Sequence, residues 1–445
     1  MKPTLLPDQI DGVKWILAGF QKHKGLILAD KMGLGKSAQG IEVAKYALKT
    51  HKDPVLIICP AYLIHNWLDE LALWSFDKSL CVIDSTKQIL HEADVYLCSY
   101  NMTTAAAIFT QLFKKTYSLI ICDEAHYLKT WGSNRSKLIL GTFAQKNTNL
   151  APRTKKFLLM TGTPILNNIE ELYNLVIRVA PKSLNYIKRM DFVLNFAQYI
   201  THTPWGIKHS GVKNEGQLKD MLKECLLQRT KIAGLPSRVD KTITVDVKGA
   251  ELKKLIREEN EFLKKHGIDV NKLSKDLKIS SMDMTELAAV RQRVAIFKLK
   301  FFMDVFTDIR EKHKKIVIAV YHRDVLKRLS EELDKKKIAH SIINGSVNMK
   351  KRSEIIKDFQ TGDCNIILCT ISSLKEGVNL TKGEAIAFIE HDWTPANIEQ
   401  LIGRLWRRGQ ENHVAIYHFL FSDGIDRYIK NTLKRKQNVI NKIMG

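Results

Sequence analysis

The chain has little cysteine, no long apolar run and few acids for its number of bases. Seven cysteines in 445 residues, an odd number with no C-x-x-C pair, exclude a disulfide-stapled scaffold and leave a redox or zinc role without a framework. Cys59, Cys81, Cys98, Cys122, Cys225, Cys364 and Cys369 read as reduced and mostly buried, and no metal site built from side chains alone is expected. With no secretory signal and no apolar stretch that could span a bilayer, an intracellular, soluble protein is expected: cytoplasmic in a prokaryote or virus, nuclear in a eukaryote. Low-complexity tracts long enough for a disordered tail are absent too. Only 47 acids stand against 70 lysines and arginines, a net charge of +23, which favours a polyanionic partner through counterion release. Single runs such as Lys335-Lys336-Lys337 and Lys434-Arg435-Lys436 also suit solvated helix faces, so it is the whole-chain excess that counts.

The length suits two domains. In the first, short apolar runs alternate with helical patterns: Leu26–Ala29, Val55–Cys59, Val95–Cys98, Leu119–Cys122 and Phe157–Met160. Such runs are continuous rather than alternating in polarity, as parallel strands buried on both faces are. A second series follows at Ile316–Tyr321, His340–Ile343, Asn365–Cys369, Ala385–Ile389 and Val414–Phe419. An α/β fold of two similar lobes is expected, one over 1–235 with a helical insertion at about 181–227, the other over 236–445 with a helical bridge at about 249–310. Gly234-Leu235-Pro236 interrupts the pattern and places the hinge, and a β-like stretch, Thr242 to Val247, follows it.

Chemistry concentrates at strand ends. In Gly33-Leu34-Gly35-Lys36-Ser37 the glycines allow a backbone wrap around phosphate, and the following helix aims unpaired N–H groups at the anion. Lys36 would reach β- and γ-phosphates and Ser37 would bind Mg²⁺ through its hydroxyl. The strict G-x-x-x-x-G-K-[ST] pattern is not met, because Asp30 stands where the first glycine belongs, so taken alone the segment also suits a chance Gly-rich turn. Asp123-Glu124-Ala125-His126, directly after an apolar strand, tips the balance. Two carboxylates there suit a split of labour, Asp123 in the Mg²⁺ shell and Glu124 polarising the attacking water.

These segments together resemble the Snf-type branch of the superfamily-two helicases, the DNA-translocating ATPases with two tandem RecA-like lobes, and the resemblance covers nearly the whole chain. Leu6 to Trp15 is similar to the adenine-reading Q-type motif, which implies that Gln9 pairs with the adenine edge. Cys59 to Trp67, Ser99-Tyr100 and Thr161 to Asn168 resemble first-lobe motifs that track the strand or couple hydrolysis to lobe movement. Asn344-Gly345-Ser346, Thr370 with Glu376 to Leu380, Asp392 to Pro395 and Gln400 to Gln410 resemble those of the second lobe. By this resemblance Gln400, Arg404 and Arg407 close the ATP site from the second lobe, the two arginines as fingers, so that the site comes in two halves. Three residues depart from the family pattern: Lys31 where an acid is usual, Gly403 where Asp is usual, and Trp406 where His is usual.

The resemblance implies ATP and Mg²⁺, and a nucleic-acid track held mostly through phosphates by Ser99, His322, Gly345, Ser346, Thr370 and Asn379. Trp131 and Trp393 offer base-stacking surfaces, although an isolated Trp also suits a core. The expected activity is ATP hydrolysis coupled to translocation on, and remodelling or unwinding of, duplex or branched DNA by a monomeric motor without a membrane partner, at replication or recombination intermediates. A catalytically silent DNA-binding scaffold and an RNA helicase are the alternatives.

Overall fold

In the computed structural model, residues 3–31, 33–141, 148–162, 169–203, 206–229, 235–246, 249–265, 281–375, 378–392, 395–424, 426 and 430 are described. The described residues divide into two units, those up to 229 and those from 235.

The first unit is built on a seven-stranded parallel sheet. Its strands are β1 (Gly25–Leu28), β2 (Val55–Cys59), β3 (Leu80–Ile83), β4 (Val95–Ser99), β5 (Tyr117–Asp123) and β6 (Thr154–Met160), with β7 (Tyr199–Thr203) and β8 (Gly206–Ser210) forming a separate antiparallel hairpin before β9 (Leu226–Leu227). The order in the sheet is β3-β4-β2-β5-β6-β1-β9. Every residue of β1, β2, β4 and β5 is buried, as a sheet covered by helices on both faces requires. The segment expected to be a helical insertion is mixed: it carries helices Arg189–Phe196 and Glu215–Leu222, but also the β7–β8 hairpin and the edge strand β9. Tyr199-Ile200-Thr201 is aromatic and β-branched, which favours the extended chain over the helix.

The second unit holds β10 (Arg238–Val245), β11 (Ile316–Val320), β12 (Ser341–Ile343), β13 (Ile366–Thr370), β14 (Ala385–Phe388) and β15 (Val414–Phe421), all parallel, in the order β10-β15-β14-β11-β13-β12. Period-two alternation splits β11 between two cores: Ile316, Ile318 and Val320 pack on one face, Val317 and Ala319 on the other. Helices Ala250–Lys265 and Ser281–Lys312 occupy the expected bridge. Lys298 fixes the longer one to the sheet, paired with Asp426 at 2.5 Å and donating to the carbonyls of Ile389 and Phe419. Two parallel sheets, each flanked by helices, make the expected pair of RecA-like α/β lobes.

Among the described residues no helix is long and apolar enough to cross a membrane. All the cysteines except half-buried Cys364 are buried, and burial pushes the thiols of Cys59, Cys98, Cys122 and Cys369 up, which leaves them inert.

Candidate ATP site

Parallel strands put all their carboxyl ends on one edge, the place where open α/β sheets bind ligands. At that edge of the first sheet β1 runs into a loop and then into helix α2 (Lys36–Thr50). Gly33 and Gly35 take φ of +90° and +73°, the left-handed region that costs other residues strain. At Gly35 a Cβ would lie 2.1 Å from the Gln9 amide nitrogen, so a side chain there would displace the Gln9 amide, while the left-handed backbone is what calls for glycine. The turn leaves Lys36 as the first residue of α2, with its ammonium donating to the Asp30 carbonyl at 2.8 Å. Ser37 follows in the same helical turn.

Asp123 ends β5, and its carboxylate is held on both oxygens, by the indole N–H of buried Trp67 at 3.0 Å and by the Glu124 amide at 2.9 Å. Tyr100 donates to the Asp123 carbonyl at 2.8 Å. Burial, and then the neighbouring Glu124 carboxylate, push the Asp123 pKa up to about 6, while the Lys36 ammonium pulls against them. Asp123 is thus close enough to both Glu124 and Lys36 to feel their charges. Glu124 takes a left-handed φ of +50°, an uncommon conformation for a side-chain-bearing residue and a local strain of about 1–2 kcal/mol. His126 sits 3.2 Å from the Glu124 carboxylate and 3.4 Å from the Thr161 hydroxyl, tying the acid pair to the end of β6. The rest of the motif that begins at Thr161, residues 163–168, lies outside the described residues.

A further layer supports the loop. Asp30, at the position of the missing first glycine, is fully buried and paired with the guanidinium of Arg229, which also donates to Gln39 at 2.9 Å and to the Asp8 carbonyl. Asp8 and Gln9 belong to α1 (Pro7–Gly19), where the Gln9 amide accepts from the Leu6 N–H at 2.9 Å and donates to the Leu34 carbonyl at 3.4 Å. Gln9 therefore lies against the phosphate-loop candidate. The Asp30–Arg229 pair was invisible in the sequence, since its partners are 199 positions apart.

In the second unit Gln400 and Arg404 lie on the helix Pro395–Leu405, and Arg407 lies in the turn after it. Gln400 is buried, and the arginines are half-buried. The helix end is pinned where the Arg404 carbonyl accepts the Leu380 N–H at 2.9 Å and Gln410 caps Leu405 and Gly383. Trp406 donates its indole N–H to the Pro236 carbonyl at 2.8 Å, under the guanidinium of Arg238. A tryptophan at that position thus ties the helix to the start of β10.

The candidate track residues of this unit gather at its carboxyl edge: His322 follows β11, Gly345 and Ser346 follow β12, and Thr370 ends β13, three neighbouring strands. Ser346 is exposed, with its hydroxyl and amide on the Asn344 side chain. Asn379 is exposed too, whereas Thr370 is buried. His322 is held by the buried Glu390 carboxylate at 2.6 Å. In the first unit Ser99 ends β4, buried, with its hydroxyl accepting from Met102. Trp131 packs 4.1 Å from the Arg178 guanidinium, a cation–π contact within its own unit, and Trp393 lies outside the described residues, as do Glu376 and Gly377.

Beside these, His391 is buried, with one ring nitrogen 2.8 Å from that of His418. Burial, and then the neighbours His418, Lys298 and Arg291, hold its pKa well below 6.5. The unfolded chain then binds more protons than the folded one below that pH, so stability is full above about pH 6.5 and falls as pH drops. Between pH 6.5 and 5 thermal melts should fall by roughly 2–4 °C more in the wild type than in His391→Gln, each pH unit being worth at most about 1.4 kcal/mol. Parallel melting curves would remove this role from His391.

Family models match two stretches: an SNF2-related domain over residues 8–351 and a helicase conserved C-terminal domain over residues 298–409. The chain is 29% identical over 449 residues to the SWI/SNF-related matrix-associated actin-dependent regulator of chromatin subfamily A-like protein 1 of Drosophila melanogaster, covering 99% of this chain and 56% of that protein. It is 25% identical over 458 residues to the human DNA annealing helicase and endonuclease ZRANB3, covering 99% of this chain and 40% of that protein. The chain spans about half the length of the curated relatives it matches. Among solved structures, the Sulfolobus solfataricus SWI2/SNF2 ATPase core in complex with dsDNA aligns with a TM-score of 0.47 at 23% identity, over 95% of this chain and 88% of that one. With the first of these models covering well over half of its residues and the second part of its C-terminal lobe, the chain belongs to the SNF2-related family of helicase-type proteins.

Proposed function

We propose that the chain is a DNA-dependent ATPase that couples hydrolysis to translocation on DNA. The cluster of Lys36, Asp123 and Glu124 at the carboxyl edge of the first sheet carries the reading, because it sets one cation beside two carboxylates of unequal environment. Lys36 exchanges the Asp30 carbonyl for phosphate oxygens, and the N–H groups of the α2 N-terminus face the same anion. Ser37 and Asp123 offer the hard oxygen ligands that Mg²⁺ takes, and the ion, when bound, neutralises charge on the phosphates. Glu124 orients and polarises the attacking water, and Gln9 reads the adenine. Gln400, Arg404 and Arg407 complete the site from the lobe that follows residue 235, and stabilise charge as the γ-phosphate leaves. Ser99, His322, Gly345, Ser346, Thr370 and Asn379 hold the DNA backbone.

The net charge of +23 suits a polyanion, and a relative named as a DNA annealing helicase supports DNA as the track; branched replication or recombination intermediates as the substrate, and a monomeric motor, belong to the same reading. An intracellular setting, nuclear in a eukaryote and cytoplasmic otherwise, belongs to the same reading. Steady-state ATP turnover should rise on adding duplex or forked DNA, and Lys36→Ala should lower the stimulated rate by about 10²-fold or more. Hydrolysis untouched by DNA and by this substitution would leave a DNA-binding scaffold, and stronger stimulation by RNA would make the protein an RNA helicase.

A further inference from the structure

In the first unit a pair of stacked tyrosines joins the end of β4, where the track candidate Ser99 lies, to the acid pair at the end of β5. Tyr100, next to Ser99, is buried, and its hydroxyl donates to the Asp123 carbonyl at 2.8 Å. Tyr127, three positions after Glu124, donates its amide to the Glu124 carbonyl at 3.0 Å. The two rings are parallel to within 3°, with centroids 5.2 Å apart. Each acid thus has its carbonyl bonded by one of the two tyrosines, and Glu124 keeps its left-handed φ of +50° beside that bond.

A cation completes the stack. Arg135, in the first turn of the short helix Asn134–Leu140, sets its guanidinium 5.3 Å from the Tyr127 ring and 5.9 Å from the Tyr100 ring, both within cation–π reach. Its Nη2 donates to the Asn101 side-chain oxygen at 3.2 Å. Asn101 is exposed, two positions from Ser99, and Arg135 is half-buried. Among the described residues no carboxylate pairs with Arg135, so a guanidinium with five N–H donors gives one bond, to a neutral amide. A phosphodiester is the stronger partner for that fork, because its oxygens are charged and accept two N–H groups at once.

We propose that Arg135 senses the DNA backbone: a phosphate draws the guanidinium off Asn101, and the Tyr127–Tyr100 stack passes the shift to Asp123 and Glu124. Arg135 is then a further DNA contact, and Tyr100 and Tyr127 are positioning residues for the acid pair. The two partners of the guanidinium, the amide without DNA and the phosphate with it, give the stack two states, and the stiff rings, bonded to the backbone of both acids, carry the difference. The inference rests on the reading of the chain as a DNA-dependent ATPase that hydrolyses at Asp123 and Glu124, and it places that dependence in three side chains.

The test uses the full chain, with ATP turnover measured without DNA and at a saturating concentration of a duplex oligonucleotide, and DNA affinity read from the fluorescence anisotropy of the same duplex carrying a label. Arg135→Lys keeps the charge and loses the planar fork, so it should still bind DNA while the ratio of stimulated to DNA-free turnover falls about fivefold or more, the low end of ordinary site-to-site coupling. Tyr127→Leu should lower the ratio to a similar degree. Because that variant could also loosen the fold, Tyr127→Phe stands beside it: the ring is kept, and the ratio should stay close to that of the wild type. A wild-type ratio in Arg135→Lys overturns the inference, whether or not DNA affinity falls, since Arg135 would then be an ordinary contact. So does a Tyr127→Phe variant that loses as much as Tyr127→Leu, and so do variants whose stimulated and DNA-free turnover drop in proportion. A wild-type chain with no DNA-stimulated turnover overturns the reading of the site and this inference with it.

Discussion

Glu124→Gln should lower DNA-stimulated ATP turnover by about 10²–10⁴-fold, the range that a positioned general base contributes, while ATP is still bound. The substitution keeps the shape of a residue that is buried at the strand end and removes only its charge and basicity. Retention of nucleotide follows from the neighbouring carboxyl. The Glu124 charge is, after burial, the largest influence raising Asp123 to about 6, so an amide in its place lets Asp123 ionise more readily rather than less. Binding of a fluorescent ATP analogue, measured beside steady-state turnover, checks both halves of the expectation. Turnover within tenfold of wild type would take the base role from Glu124, and loss of nucleotide binding would mean that the acid pair is structural.

Much of this site was legible before the fold. A Gly-rich turn running into Lys36-Ser37, and an acid pair directly after an uninterrupted apolar strand, are local patterns, and parallel sheet geometry then delivers both to one edge. The central strands were legible for the same reason: Val55–Cys59 is buried at every position, so nothing breaks its apolar run. Edges fared worse. β3, Leu80–Ile83, is four residues long with half-exposed Leu80 and Val82, and β9 is two residues fixed by pairing with β1 rather than by its own composition. Nor could the sequence explain its own irregularities. Asp30 broke the expected glycine pattern, and only the fold brings Arg229 to it; Trp406 departed from the family pattern, and only the fold shows its indole on the Pro236 carbonyl. Both irregular residues are held by long-range partners, which no local pattern encodes.

Arg407→Ala should lower turnover by about 10³–10⁵-fold, the worth of an arginine finger, with ATP affinity nearly intact. The size follows from timing: a finger acts on charge that develops as the γ-phosphate leaves, so its removal is felt in kcat rather than in ground-state binding. Folding should survive, because backbone bonds and a glutamine hold the turn independently of this side chain's charge. Gln410 donates its amide to Gly383 and Leu405, its backbone N–H bonds the Arg407 carbonyl at 3.0 Å, and Gly409 supplies the φ of +90° that closes the turn. Arg404→Ala is the informative companion, since Arg404 lies in the last turn of the helix while Arg407 lies beyond it. If both serve the same phosphates, the double variant should lose far less than the product of the two single losses, because residues that act as a unit are not additive. Losses that multiply would assign the two arginines to separate tasks, and retained turnover in Arg407→Ala would remove it from the site.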